Sequence, residues 1–180
     1  YIAPSKRIDI VLRAVALLQE DSPELYYLLV GEPVDHHDLL PVIQELGLEQ
    51  KVHITGFVDS ATFEACLRAI DIGVNLRTGP SGGEMSAGVV QLLAAGRPTV
   101  VSDVDGFSEL PADCVIKIKQ DEFEVDRLTT ALRRLIDNPG VRVAYGVAAQ
   151  RYARGELSFS RAAEQYLAFI QACLSRRNDW

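Results

Sequence analysis

A chain of 180 residues, 48% hydrophobic and 24% charged, can bury one ordinary core, which excludes the collagen-like, disordered and small disulfide-scaffold classes. Its net charge of −7 repels a phosphate backbone and no Lys/Arg run forms a basic stripe, so nucleic acid is not an expected partner. No apolar run reaches the roughly 18–20 residues a membrane span needs, and no basic-then-apolar leader opens the chain. A cytoplasmic protein is therefore expected, with contact at the inner membrane face left open. Cys66, Cys114 and Cys173 are odd in number and free of CxxC spacing, which reads as buried core thiols in a reducing compartment.

Apolar residues at Ile8, Val11, Leu12, Val15 and Leu18 predict a helix over 6–20, with Ser5 as its N-cap. Tyr1-Ile2-Ala3-Pro4 precedes it without an initiator Met, as if an upstream segment were missing. The short apolar run Leu25 to Val30, closed by Gly31, predicts a strand covered on both faces and hence a parallel sheet. A helix over 36–48, a strand over 52–55, a helix over 60–70 capped by Ser60 and a strand over 72–76 follow. After Gly79-Pro80-Ser81-Gly82-Gly83, a helix over 84–95 leads to strands over 98–102 and 115–118. From Phe123 the pattern is helical alone, over 124–137, 140–154 and 160–175, and this third is expected to pack over the sheet. Short links between alternating elements imply right-handed crossovers, so the expected fold is α/β, a doubly wound, Rossmann-like parallel sheet with a helical C-terminal flank, in a single domain over 1–180.

Ligands of such sheets bind beyond the carboxyl ends of the strands. The richest loop there is 77–83, whose glycines remove side-chain bulk ahead of a helix N-terminus, a place that suits a phosphate or diphosphate. It has neither a Walker GK[ST] ending nor a GxGxxG pattern, and a merely tight turn fits it equally well. Glu84 beside it is either a capping carboxylate or an acceptor for sugar hydroxyls. Lys6 is either a countercharge for the diphosphate or a solvated surface lysine. Glu109 is a turn residue or a ligand group. His36-His37-Asp38 are chain neighbours that do not converge on one ion, His53 is read as packed in a strand, and no metal site is expected.

The ordered series Pro4-Ser5-Lys6-Arg7, Leu28-Leu29-Val30-Gly31, Leu46-Gly47-Leu48, Val52-His53-Ile54-Thr55-Gly56-Phe57, Gly83-Glu84, Ala95-Gly96-Arg97-Pro98 and Ser102-Asp103-Val104-Asp105-Gly106, with Glu109, resembles the C-terminal donor-binding domain of glycosyltransferase family 4, retaining enzymes of the two-domain GT-B fold. The resemblance implies a nucleotide-diphosphate sugar as substrate, no further cofactor, no bound metal, and an acceptor held mainly by an N-terminal domain that this sequence does not contain. It implies that Lys6 and Glu84 serve catalysis, Lys6 at the diphosphate and Glu84 at the donor sugar. Gly56 and Phe57 would line the base pocket, Met85, Ser86 and Ala87 would offer N–H groups to phosphate, and Gly31, Gly83 and Glu109 would complete the donor site. The family's paired glutamates are seven residues apart. Here Gln91 stands in place of the second, ribose-binding one and Glu84 falls one position late; an arginine common shortly before the lysine would fall near Tyr1 or upstream. The resemblance also implies a hexosyltransferase whose isolated donor half turns over poorly. Its rivals are a non-catalytic nucleotide-sugar-binding domain and a GT-B-like epimerase or phosphorylase.

Overall fold

In the computed structural model, which describes residues 1–34, 38–80 and 84–177, short parallel strands alternate with helices. A 3-10 turn (Pro4–Lys6) leads into α1 (Ile8–Leu18), followed by β1 (Tyr27–Leu29), α2 (Leu40–Glu45), β2 (Val52–Ile54) and α3 (Ser60–Ala69). Next come β3 (Gly73–Asn75), α4 (Ala87–Ala94), β4 (Thr99–Ser102), α5 (Asp105–Ser108) and β5 (Val115–Ile118). Three helices close the chain: α6 (Glu124–Asp137), α7 (Pro139–Glu156) and α8 (Phe159–Arg177).

β1 pairs with β2, with Tyr27 opposite Val52, and β3-β4-β5 form a second parallel set in which Val100 lies opposite Val74 and Ile116. Successive strand residues point to opposite faces, and β4 shows the consequence. Val100 joins the apolar cluster of α1 and α6, while Val101 joins that of α4, α5 and α7. All four β4 residues are buried, so helices cover the sheet on both faces and the doubly wound α/β expectation holds.

The first cluster packs Val11, Leu12, Val15 and Leu18 of α1 against Leu128, Leu132 and Leu135 of α6. Each such burial contributes about 1.5–3 kcal/mol. In the second cluster α7 runs close along α4. A Cβ at Gly146 would drive into the Gly96 carbonyl, so only glycine permits that approach.

Several local expectations are corrected. The helix expected over 36–48 begins at Leu40 among the described residues, with Pro41 in its first turn. Asp59, rather than Ser60, caps α3 by accepting the Thr62 N–H at 2.8 Å. α1 starts after Arg7, whose φ of 52° breaks the helix that Ser5 was expected to cap. α4 starts at Ala87, because Ser86 is extended, so Glu84 to Ser86 precede the helix. Asp105–Ser108, to which no element was assigned, is a short helix. His53 is exposed, since β2 alternates outward there.

Of the cysteines only Cys114 is buried, its thiol pushed up to about 11 chiefly by that burial; Cys66 is half-buried and Cys173 exposed. Cys173 is exposed because α8 touches α7 and leaves its apolar residues uncovered. The readings made at His36, His37, Gly82 and Gly83 lie outside the described residues. No helix among the described residues is long and apolar enough to cross a membrane.

Candidate functional site

Residues 2–5 tie the carboxyl ends of the two strand sets together. Ile2 pairs in parallel with Pro33 beyond β1, donating to the Glu32 carbonyl at 2.8 Å, and the Ser5 carbonyl accepts the Thr78 N–H, beyond β3, at 2.9 Å. Lys6 ends this segment as the last residue of the 3-10 turn, half-buried at the strand ends. Its ammonium is held below the usual lysine range, first by burial and then by the positive charge of Arg77. Two like charges thus act on one another, and among the described residues no carboxylate forms an ion pair with Lys6.

Arg77 is fixed from several sides. Its peptide N–H donates to the hydroxyl of buried Ser102 at the end of β4, 2.9 Å away. Its guanidinium lies 6.0 Å from the centroid of the buried Phe107 ring in α5, a cation–π approach. Nη1 is 3.9 Å from a carboxylate oxygen of Glu84, a long contact to a side chain that is 78% exposed. Such an exposed pair holds little energy and can be exchanged for a stronger anion. Sequence reasoning did not single out Arg77. The available signal was a cation placed two residues after the end of β3, at the mouth of the loop already favoured.

The other predicted residues distribute around this pair. Gly31, at φ 141°, and Gly56, at φ 69°, form an antiparallel bridge beyond β1 and β2, and the Gly31 N–H donates to the Thr55 hydroxyl at 3.2 Å. Phe57 follows with its ring 81% exposed, an uncovered stacking surface at the same strand ends. Met85 and Ser86 lie just ahead of α4; Ser86 is buried at the N-cap position and makes no side-chain cap. Ala87 to Val89 therefore carry the N–H groups that lack partners within the helix, shifting the expected donors from 85–87 toward 87–89. Gln91 is exposed one turn further, on the same face as Ala87. Glu109 is exposed at the end of α5, and its charge acts on Tyr152 of α7.

A hollow of about 560 Å³ lies beside the 77–80 loop, lined among others by Gly79, Pro80, Asp103, Asp105, Lys119 and Asp121. Its three carboxylates repel phosphate and are of the kind that accepts hydrogen bonds from hydroxyl groups. Among the described residues no group of three His, Cys, Asp or Glu side chains is placed to hold a metal ion.

The strands, their flanking helices and the Lys6 and Arg77 backbone held together by the Ser5–Thr78 hydrogen bond define a parallel-sheet α/β domain. The chain belongs to the family described as glycosyl transferases group 1, whose model matches residues 1–138. It is 30% identical over 169 residues to a phosphatidyl-myo-inositol mannosyltransferase of Mycobacterium leprae, covering 93% of this chain and 43% of that protein. It is 26% identical over 164 residues to an alpha-D-kanosaminyltransferase of Streptomyces kanamyceticus, covering 91% and 42%. Among solved structures it resembles Anabaena Alr3699/HepE in complex with UDP, with a TM-score of 0.82 at 20% identity over 94% of this chain and 46% of that one. It also resembles the C-terminal domain of a group 1 glycosyl transferase from Francisella tularensis, with a TM-score of 0.76 at 15% identity over 88% and 83%. These likenesses show the fold, that of GT-B glycosyltransferases. The chain spans less than half the length of the curated relatives it matches.

Proposed function

We propose that this chain is the donor-binding half of a retaining, family 4 hexosyltransferase, binding a nucleotide-diphosphate sugar whose glycosyl group passes to an acceptor held mainly by chain outside residues 1–180. The observation that carries the proposal is the Lys6–Arg77 pair: the Ser5–Thr78 hydrogen bond brings the two residues together at the strand ends, and their like charges repel, which costs stability until an anion with at least two charges joins them. A diphosphate fits that requirement, and the N–H groups at the start of α4 add donors of the same sign. That a structural neighbour of this fold is a complex with UDP supports the same ligand class.

In this reading the bond between the anomeric carbon and the diphosphate oxygen breaks, the electron pair leaves with the diphosphate, and Lys6 and Arg77 hold the charge that develops there. Glu84 gives up its long contact with Arg77 when the diphosphate takes its place, and its carboxylate then accepts hydroxyl groups of the donor sugar. Gly31, Gly56 and Phe57 hold the nucleoside, with the exposed Phe57 ring against the base, and Gln91 faces the ribose without a charge.

Calorimetric titration of the intact protein with UDP, GDP and ADP and their sugar conjugates tests this. The expected result is saturable binding of one diphosphate, weakened about tenfold or more by Lys6→Ala and by Arg77→Ala, each of which removes a charge-assisted contact. Glu84→Ala is expected to remove only the additional affinity of the sugar conjugate. Silence toward all three diphosphates would sink the assignment.

A further inference from the structure

Arg7 follows Lys6 directly and has no free charge to offer a ligand. Its Nε donates to Oε1 of Glu124 at 3.0 Å and its Nη2 donates to Oε2 of the same carboxylate, a two-pronged pair across 117 residues of sequence. The Glu124 side chain is only 2% exposed, and Glu124 is the first residue of α6. The positive end of that helix adds to the attraction for its carboxylate. Arg7 also stands in the left-handed region, at φ 52°, which side chains other than glycine rarely adopt without support from their surroundings.

These features meet at one backbone turn. Lys6 N–H donates to Ala3 and Arg7 N–H to Pro4, closing the turn, while the Ser5 carbonyl one residue before Lys6 is fastened to Thr78. Lys6 is thus gripped on both sides, by Ser5 to the loop after β3 and by Arg7 to the start of α6. A pair serving only the α1–α6 contact has no need to sit on a left-handed residue, since Leu12, Val15, Leu128 and Leu132 already build that interface. We propose that Glu124 is a positioning residue that acts through Arg7, holding the turn so that the Lys6 ammonium stands opposite Arg77 at the diphosphate seat. The inference rests on the reading of Lys6 as a diphosphate ligand.

A double-mutant cycle in the intact protein tests it, read as the dissociation constant for whichever of UDP, GDP and ADP binds the wild type. Glu124→Gln is expected to weaken binding about fivefold when Lys6 is present and to change it by less than about twofold in the Lys6→Ala background, because the two residues act on one contact. Should Glu124→Gln not fold, the Arg7→Gly/Glu124→Gln variant replaces it. That variant removes the pair without stranding a buried charge and gives the turn a residue with no left-handed penalty. The same dependence on Lys6 supports positioning. Equal losses in both backgrounds, or full affinity in either clamp variant, would overturn it. A wild type that binds none of the three, or a Lys6→Ala protein with unchanged affinity, would instead overturn the diphosphate reading beneath it.

Discussion

Lys6 and Arg7 are adjacent cations with opposite surroundings. Arg7 has its guanidinium raised above its ordinary pKa by hydrogen bonds to buried Glu124, whereas Lys6 is lowered by burial and by Arg77. The first charge has its counter-ion within the fold, and the second, among the described residues, is acted on by another cation. The contrast teaches how to tell a structural cation from a binding one: by whether the chain itself supplies the opposite charge. Residue type, exposure and position in the sequence hardly separate the two.

The largest expected effect breaks the structural member of the comparison. Glu124→Ala leaves the part-exposed Arg7 guanidinium on a left-handed turn without its counter-ion, and loss of such a charge-assisted hydrogen bond costs about 1.5–3 kcal/mol. Urea denaturation of Glu124→Ala beside Lys6→Ala checks this, with Lys6→Ala expected to stay within about 0.5 kcal/mol of wild type or to gain slightly, since it removes a repelled cation. A Lys6→Ala loss as large as that of Glu124→Ala would erase the distinction.

A smaller effect sharpens the binding member through pH. Because the folded state lowers the Lys6 pKa beneath 10.5, charged Lys6 weakens the fold at pH values below its folded pKa. That penalty fades as pH rises through the folded value toward 10.5. A bound diphosphate favours the charged ammonium and reverses the shift. Diphosphate affinity is therefore expected to decline at a pH below the ordinary lysine range, with uptake of up to about one proton on binding in that window. Titrations in two buffers of different ionisation enthalpy measure the uptake. Lys6→Ala should abolish it, and Arg77→Gln should move the decline to higher pH.

The same question of partners explains what could be read from the sequence. Order and type of the strands and the start of α6 at 124 followed from apolar spacing, because that spacing records which faces are covered by nearby elements. The left-handed turn at Arg7 and the start of α4 at Ala87 did not, since each is set by contacts from distant parts of the chain. Glu124 lies 117 residues beyond Arg7, and nothing in Asp121-Glu122-Phe123-Glu124 marks the second glutamate as the buried one. Arg77 was hidden for a related reason: only the folded turn 2–6 brings Lys6 to it. Lys6, Gly56 and Phe57 were named through the resemblance, and Gly56 lies in the bridge beyond β1 and β2. Cys173 and the face of α8 were misread, because helical periodicity predicts an apolar stripe and is silent about what covers it.

α8 carries that contrast from charges to apolar side chains and gives the smallest expected effect. Its stripe Tyr166, Leu167, Ile170 and Leu174 has the spacing of the α6 stripe, yet these four side chains are 71%, 59%, 50% and 57% exposed, whereas Leu128 and Leu135 of α6 are fully covered by α1 and the sheet. The cost of deleting methyl groups depends on how many neighbours lose contact. Ile170→Ala in the 180-residue chain is therefore expected to change stability by no more than about 0.5 kcal/mol, as at an ordinary surface position. The urea midpoint and slope measure it. A loss of about 2 kcal/mol or more would show that the stripe is buried after all, and α8 would then belong with α6 and Arg7 among the groups whose partners are already in place.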